Sequence, residues 1–403
     1  MRASAFVYPW DVVGDPDAAR RLADLGVRQV TLASAYHSTR ALTPRHPRHR
    51  IVTARHSAVY YPLDPARWEG RELRPYAQGW TGGDDPFGEA AAALAEAGLE
   101  VHSWVILAHN ARLGAEHPRT CVRNAYGDRY PWAPCIAQEE VRGYAVRLAA
   151  EAAVRPGARG TELESCGWYG LGHLSAHDKI GGVRLGGAGQ YLMSLCFCPA
   201  CEAGYASSGA DPERLRRAVT TALEPLWTGE RADAARGREE EWAGVEELLG
   251  ADLARAAAGW RDQVASAFRS AVVEAVREEA RSRRAEGFRV LLHADPAPHR
   301  CGANVGVDPA GVLEQADGVV LPCTGDDAER TAVLAPFLPH RTPSTVLAAN
   351  LTVVSGMGGK PEELAENAAH ARESGATELR LYHAGLASDA DLAAVRAALA
   401  RLG

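Results

Sequence analysis

Long apolar runs are absent from this chain of 403 residues. None approaches the roughly 18 apolar residues that a membrane-spanning helix needs. The apolar run before Pro9 has only three residues, too few for the core of a signal peptide. We therefore expect a cytoplasmic protein that has no membrane partner.

Positive charge is not in excess either, because 44 Lys and Arg residues face 51 Asp and Glu residues and the formal net charge is −7. This balance gives no reason to expect a nucleic acid as partner. Cysteine is sparse for the length of the chain, with eight residues. Eight cysteines in a chain of this size do not indicate a secreted disulfide scaffold, so we expect a bound metal or free thiols.

Short apolar segments alternate with amphipathic helical segments along most of the chain. The predicted strands are Ser4–Tyr8, Gln29–Ala33, Glu100–Leu107, Glu162–Ser165, Arg289–His293, Gly318–Leu321, Thr345–Ala349 and Glu378–Tyr382. Eight such units that finish on a helix predict the α/β class and a (β/α)8 TIM barrel. An open doubly wound sheet is the alternative, but Tyr-Pro-Trp-Asp stands where its glycine-rich dinucleotide fingerprint would be. We expect no organic cofactor.

Two long segments interrupt the alternation of a single barrel that spans 1–403. Residues 36–83 follow the second strand and are rich in Pro, His, Arg and Tyr. Residues 167–286 follow the fourth strand, and they contain a cysteine cluster and then a helical stretch that begins at Pro212. This helical part is a candidate lid or oligomer interface.

Polar or aromatic side chains stand at the end of nearly every predicted strand, whereas Val, Leu, Ile and Ala fill the strand centres. Catalytic groups of TIM barrels come from the carboxyl ends of the strands, so this asymmetry predicts an enzyme. The predicted substrate-binding residues are Tyr8, Trp10, Asp11, His37, His109, Asn110, Trp168, Tyr169, His293, Asn350, Tyr382 and His383. His173 and His177 are a further candidate pair, with an exposed surface pair as the alternative.

Glu162 and Glu164 alternate on the fourth strand, so both side chains face the same side of the sheet. Cleavage of a glycosidic bond needs two carboxylates that flank it. We predict Glu164 and Asp295, at the ends of adjacent strands four and five, as this catalytic pair. Glu162 lies one layer deeper, where it would hold a sugar hydroxyl or raise the pKa of Glu164 by like-charge repulsion. The alternative for Glu162 is an arginine-paired ionic layer inside the barrel.

Cys196, Cys198 and Cys201 form a C-x-C-x-x-C triplet, with Cys121 or Cys135 available as a fourth ligand. Structural zinc needs four soft ligands in a tetrahedron, so the spacing predicts a Zn²⁺ site. We place Cys121 in the fourth position and keep Cys135 as the alternative. Three buried or redox-active thiols are the other interpretation.

The cysteine triplet after a distant cysteine resembles the zinc-binding loop of the glycoside hydrolase family 42 β-galactosidases. The segments that begin at Asn124 (Asn-Ala-Tyr-Gly-Asp), Pro134 (Pro-Cys), Glu162 (Glu-Leu-Glu) and Leu195 (Leu-Cys-Phe-Cys-Pro-Ala-Cys) also resemble uncharacterised bacterial glycoside-hydrolase-like barrels. The resemblance covers about residues 121–201, and it implies a zinc-stabilised barrel that acts on carbohydrate.

The resemblance stops at the catalytic carboxylates. Family 42 enzymes place an acid/base Glu after an Asn on strand four and a nucleophilic Glu at the end of strand seven. Here Thr161 precedes Glu162, Leu163 precedes Glu164, and Asn350 stands where strand seven ends. The family's nucleophile therefore has no counterpart, and the resemblance implies no β-galactosidase activity.

Two other functions compete with a glycosidase. The glycine-rich loop 355–360 after strand seven is placed as in barrels that bind phosphate, which favours a phosphosugar isomerase, aldolase or lyase. A non-catalytic carbohydrate-binding barrel, in which aromatic rings stack on sugars, is the third reading.

Overall fold

The computed structural model describes residues 1–172, 178–230 and 237–402. The candidate pair His173 and His177 lies outside these residues. In the described part, the strands are β1 (Arg2–Val7), β2 (Gln29–Tyr36), β3 (Thr39–Leu42), β4 (Ile51–Ala54), β5 (Ala58–Val59), β6 (Glu100–Ile106), β7 (Cys121–Arg123), β8 (Arg129–Pro134), β9 (Ala158–Glu164), β10 (Arg289–Asp295), β11 (Val305–Gly306), β12 (Gly318–Pro322), β13 (Val346–Thr352) and β14 (Glu378–Tyr382).

The α-helices surround these strands. Their bounds in the described part are α1 (Ala18–Ala23), α2 (Pro65–Trp68), α3 (Pro86–Glu96), α4 (Ala111–Glu116), α5 (Glu139–Ala153), α6 (Gly187–Met193), α7 (Pro199–Ser207), α8 (Pro212–Trp227), α9 (Glu241–Leu249), α10 (Ala251–Ser282), α11 (Pro309–Gln315), α12 (Asp327–Leu334), α13 (Leu364–Glu373) and α14 (Asp389–Leu402). None of the helices in the described ranges is long and apolar enough to cross a membrane.

Eight parallel strands close into a barrel in the order β1, β2, β6, β9, β10, β12, β13 and β14. Strand β14 pairs with β1, which completes the ring. The predicted (β/α)8 TIM barrel is therefore confirmed. Each of the eight predicted strands coincides with one barrel strand, and only the ends differ by a few residues.

The interruptions of the barrel carry their own elements. The segment after β2 contains the β3–β4 hairpin and the short β5, which pairs antiparallel with β2. The β7–β8 hairpin after β6 was not predicted as strands. Helices α6 to α10 lie between β9 and β10, and α10 packs against α5 and α11. Helix α10 thus takes the place of a barrel helix, although the sequence prediction counted it within the insertion.

Asp-Pro pairs start several helices. In each pair the aspartate side chain accepts a hydrogen bond from a backbone N–H of the first helical turn. The proline occupies the first helical position, where its nitrogen has no hydrogen that would need an acceptor. These capping residues are Asp64, Asp85, Asp211 and Asp308, at the starts of α2, α3, α8 and α11. The starts of these four helices are thus specified by a local sequence signal.

The barrel interior is layered along the axis. The amino-terminal end holds an ionic network in which Arg289 contacts Glu100 and Glu378. An apolar cluster of Leu291, Val320, Val346 and Ala348 follows in the same interior. Because strand side chains alternate, the inward positions beyond this cluster belong to the carboxyl ends, where Glu164, His293 and Asn350 face the axis. The candidate site residues on these strands therefore gather at the carboxyl end of the barrel.

Candidate active site at the barrel mouth

Glu164 ends β9 and points into the barrel mouth. Its Oε2 accepts a hydrogen bond from the indole Nε1 of Trp104 at 2.9 Å. Burial and, to a smaller extent, the nearby Glu164 carboxylate raise the pKa of Tyr382 to about 12. Burial and the same carboxylate also raise the pKa of Tyr169. The Glu164 carboxylate thus lies among aromatic side chains.

His293 lies between the two glutamates of β9. Its Nε2 is 3.6 Å from Glu162 Oε2, and its Nδ1 is 3.9 Å from Glu164 Oε2. The imidazole therefore separates the two carboxylates that were expected to act on each other directly. It links the mouth of the barrel to the layer below.

Glu162 belongs to that lower layer. The Nε atom of Arg380 donates to its Oε1 at 2.6 Å, and the Thr31 hydroxyl donates to the same oxygen at 3.2 Å. Burial alone would raise the pKa of Glu162, but the Arg380 guanidinium and His293 outweigh it and lower that pKa to about 2. Glu162 has no exposed surface. The predicted contact with a sugar hydroxyl is therefore not met, and the arginine-paired ionic layer is the arrangement present.

Asp295 ends β10 on the same inner face as His293. Its Oδ1 accepts from the Arg238 guanidinium at 2.6 Å and from the backbone N–H of Ala297 at 2.9 Å. Arg238 comes from the insertion after β9, so the insertion supplies the counter-ion of a barrel carboxylate. Nothing in the local sequence around Arg238 indicated this role.

A cavity of about 390 Å³ lies beside the Arg238–Asp295 ion pair. Its walls include Tyr191, Trp242 and His299, whose rings contact one another at centroid distances of 5.8–6.2 Å. Arg238 and Ala297 also line it. This volume lies within the range of small-molecule sites, and aromatic walls with a few charged groups are typical of them.

The aromatic residues of the first and last barrel units form a stack. The ring of Tyr8 lies 4.3 Å from Trp10 and 4.2 Å from His383, centroid to centroid. Trp10 and His383 are almost completely buried, and burial lowers the pKa of His383 to about 3. Tyr8, Trp10 and His383 were predicted to bind substrate, but their rings are buried beneath other residues.

Asp11 lies beside this stack, at the rim. Its Oδ2 accepts from the backbone N–H of Tyr8 at 2.8 Å, and a Cβ atom on Gly385 would stand 1.9 Å from that oxygen. Burial raises the pKa of Asp11 to about 7, against the lowering effects of the Tyr8 N–H and the Arg45 guanidinium. The position of Gly385 therefore requires glycine, and the carboxyl group of Asp11 faces the loop after β14.

We expect the substitution Asp11→Asn to stabilise the protein above neutral pH. The folded state holds the Asp11 proton up to about pH 7, whereas the unfolded chain releases it near pH 4. Stability of the native protein therefore falls as pH rises from about 4 to 7, by about 1–3 kcal/mol. Urea unfolding at pH 5 and pH 8 should show a larger gain for the variant at pH 8, because the loss of native stability begins near pH 4 and is complete only above about pH 7.

Asp389→Asn is the matched control, because the Asp389 carboxylate is exposed and lies 3.9 Å from the same Arg45. That variant should keep the pH dependence of the native protein. Parallel pH profiles of Asp11→Asn and the native protein would contradict the assignment.

The remaining predicted residues divide between the mouth and its supports. The ring of His109 stacks on Tyr169 at 4.4 Å and lies 5.1 Å from His37. Asn110 is the N-cap of α4 and accepts from Leu113 N, a role that the Asn before a short helix signals. Trp168 donates to the Arg261 carbonyl and lies under its guanidinium, so it anchors the insertion.

Asn350 keeps an inward position at the end of β13. Its side-chain Oδ1 is buried and has no hydrogen-bond partner among the described residues. A buried carbonyl oxygen without a partner is costly, and a ligand hydroxyl would satisfy it.

Trp104 and Arg380 were missed by the sequence reasoning, although strand alternation would have placed both inward.

Four buried cysteines form a separate cluster. The sulfur atoms of Cys135, Cys196, Cys198 and Cys201 lie within 4.8 Å of one another. Cys135 Sγ is 3.7 Å from the sulfur atoms of both Cys198 and Cys201. A tetrahedron with metal–sulfur bonds of about 2.3 Å has sulfur–sulfur edges of about 3.8 Å, so this donor set fits a metal ion.

The fourth cysteine of this cluster is Cys135, and the placement of Cys121 in that position is wrong. Cys121 Sγ donates instead to the Gly114 carbonyl at 3.5 Å. Cys121 is the first residue of β7 and Cys135 directly follows β8, and only the sulfur of Cys135 lies with the triplet. The cluster joins the loop after β6 to the insertion after β9.

The glycine-rich loop 355–360 lies by a cavity of about 760 Å³. Lys360 Nζ donates to the Glu363 carboxylate at 3.1 Å, and Asp326 and Asp327 also line the cavity. The carboxylates of these acids would repel a phosphate group, so the geometry does not favour the phosphosugar alternative.

No protein-family model matches this sequence, and no curated protein matches it. Solved structures do share its fold. The α-L-fucosidase isoenzyme 2 from Paenibacillus thiaminolyticus is similar over 100% of this chain and 49% of its own, with TM-score 0.60 and 12% identity. The PgaB (BpsB) glycoside hydrolase domain from Bordetella bronchiseptica is similar over 99% of both chains, with TM-score 0.59 and 14% identity.

Gan42B, a GH42 β-galactosidase from G. stearothermophilus, is similar over 100% of this chain and 56% of its own, with TM-score 0.54 and 11% identity. The chain thus spans about half the length of the fucosidase and of the galactosidase. These structural neighbours are glycoside hydrolases, and at this identity the likeness concerns the fold.

Proposed function

We propose that this protein is a glycoside hydrolase that acts on a carbohydrate with Glu164 and Asp295. The observation that carries the proposal is the placement of two acids at the carboxyl ends of adjacent strands β9 and β10. Both face the barrel interior, and aromatic side chains surround the first of them. The glycosidase fold of the structural neighbours supports this reading as an analogy.

The surroundings of the two acids suggest different roles. Asp295 is held by the Arg238 cation, which balances a negative charge and suits a nucleophile or base. Glu164 lies among Trp104 and the phenol rings of Tyr169 and Tyr382, which suits a proton donor to the leaving group. His293 would orient Glu164 from below. The cavity beside Arg238 would hold part of the sugar chain.

A panel of aryl glycosides and unlabelled oligosaccharides tests this assignment on the native protein, Glu164→Gln and Asp295→Asn. Each variant should lose turnover by about 10²–10⁴-fold, because each removes a charged or proton-transferring group at nearly constant shape. The stereochemistry of the product would then distinguish retention from inversion.

Glu151→Gln is the matched control. Glu151 is also a buried glutamate whose Oε2 accepts from an indole, the Nε1 of Trp68 at 2.7 Å, but it lies on α5 outside the barrel mouth. Its loss should leave kcat within a few fold of the native value. Turnover that survives both mouth substitutions would overturn the mechanism, and sugar binding without turnover would favour a binding protein.

We also propose that the cluster of Cys135, Cys196, Cys198 and Cys201 holds a structural Zn²⁺ ion. Four thiolates leave no open position for substrate or water, so the ion would stabilise the fold and take no part in the chemistry. It would join the β7–β8 hairpin to the start of α7.

A further inference from the structure

An arginine-rich cavity lies outside the barrel, between α5 and the β7–β8 hairpin. Its volume is about 880 Å³. Its lining contains none of the side chains that we assign to the barrel mouth. The arginines that line it are Arg71, Arg119, Arg123, Arg129 and Arg147. Such a concentration of positive charge is unexpected in a chain whose net charge is −7.

Two of these arginines face each other across the hairpin. Arg123 on β7 and Arg129 on β8 are direct partners in the antiparallel register. Side chains at opposed positions project from the same face, and like charges at such positions destabilise a hairpin. The backbone of Arg123 is also fixed, because its N–H donates to Cys196 Sγ and its carbonyl accepts from Phe197 N.

Arg147 and Arg71, which both line the cavity, also repel each other. The pKa of Arg147 on α5 is lowered, first by partial burial and then by the Arg71 guanidinium. The guanidinium of Arg147 donates to the Gly143 carbonyl at 2.8 Å. Over the described residues, no carboxylate lies within ion-pair distance of any of the five arginines.

Glutamates are present in the cavity wall, but they do not neutralise these charges. Glu72 lies 3.3 Å from His117, and Glu139 and Glu140 occupy the first turn of α5, where the helix dipole favours acids. Five arginines thus meet three glutamates around one concave space. This local excess of positive charge favours the binding of an anion in the cavity.

We propose that this cavity binds a small polyanion that carries at least two phosphate or sulfate groups. Guanidinium groups bind such oxyanions through paired, charge-assisted hydrogen bonds. The cavity volume suits a ligand of the size of a phosphorylated or sulfated mono- or disaccharide. The site is separate from the barrel mouth and does not depend on the function proposed there.

Isothermal titration calorimetry of the full chain with inorganic pyrophosphate, and in a second arm with a disulfated disaccharide, tests this site. We expect binding by the native protein that weakens as salt is raised from about 50 to 150 mM. Arg71→Gln and Arg129→Gln should each weaken it about tenfold, and the double variant about a hundredfold, since each removes a charge-assisted contact. The arm that binds more tightly identifies phosphate or sulfate as the preferred group.

Arg217→Gln with Arg396→Gln is the matched control, since both arginines are exposed, lie far from the cavity in sequence and change the net charge equally. This variant should bind as the native protein does. Arg129→Gln should also keep or raise the melting temperature, because it relieves the repulsion across the hairpin. Absence of binding in both arms, or equal loss in the control variant, would overturn the proposal.

Discussion

Replacement of Cys135 by alanine is expected to remove the proposed zinc ion and to lower the melting temperature by about 5–15 °C. The four cysteines come from two distant parts of the chain, which the proposed ion would join, and a structural zinc ion contributes several kcal/mol to folding. For a domain of this size, one kcal/mol corresponds to about 2–4 °C or less. Differential scanning calorimetry and metal analysis by mass spectrometry measure the two effects, with about one zinc ion per native chain expected.

Cys121→Ala provides the control for this experiment. Cys121 is a buried cysteine on the same hairpin, but its sulfur donates to the Gly114 carbonyl and lies outside the cluster. Its replacement should keep the metal and cost about 1 kcal/mol, the value of a small cavity. Equal losses in the two variants, or native protein without metal, would contradict the zinc assignment.

Replacement of Glu162 by glutamine is expected to cost about 3–5 kcal/mol of unfolding free energy. Arg380 would keep its charge in the barrel interior and lose the closer of its two carboxylate partners, which leaves Glu378 at 2.8 Å. A buried charge whose partner is removed is costly, whereas replacing both members by apolar side chains is nearly neutral. The double variant Glu162→Leu with Arg380→Met should therefore recover much of the loss.

The pH dependence gives a second readout of the same pair. The pKa of Glu162 is about 2 in the folded state and about 4.5 in the unfolded chain. Its contribution to stability is therefore complete above about pH 4.5 and is lost as pH falls toward 2, and Glu162→Gln should flatten this decline. Glu278→Gln breaks an exposed pair with Arg281 and should cost less than about 1 kcal/mol. A similarly small loss for Glu162→Gln would contradict the buried ion pair.

The sequence was sufficient for the barrel because each strand and helix is specified locally. Apolar strand centres, Asp-Pro caps and alternating side chains all act over a few residues, so eight units could be counted. The same alternation placed Glu162 and Glu164 on one face. It could not tell that Arg380, more than two hundred positions away, fills the space beside Glu162.

The sequence predicted which residue types stand at the strand ends, but not which of these side chains are accessible to a substrate. A strand-end position says that a side chain reaches the mouth, but covering loops decide whether it stays accessible, and here they bury Trp10 and His383. The choice between Cys121 and Cys135 depended on the register of a hairpin that has no strong sequence signal. Arg238 reaches Asp295 from a separate segment, so no local pattern could indicate it.

The ion pair between Arg238 and Asp295 also restricts which amino-acid substitutions these two positions can accept. One partner belongs to the barrel and the other to the insertion, so a substitution on either side leaves a charge without its counterpart. We therefore expect positions 238 and 295 to covary in related sequences, because a cation at one position and a carboxylate at the other are kept or lost together.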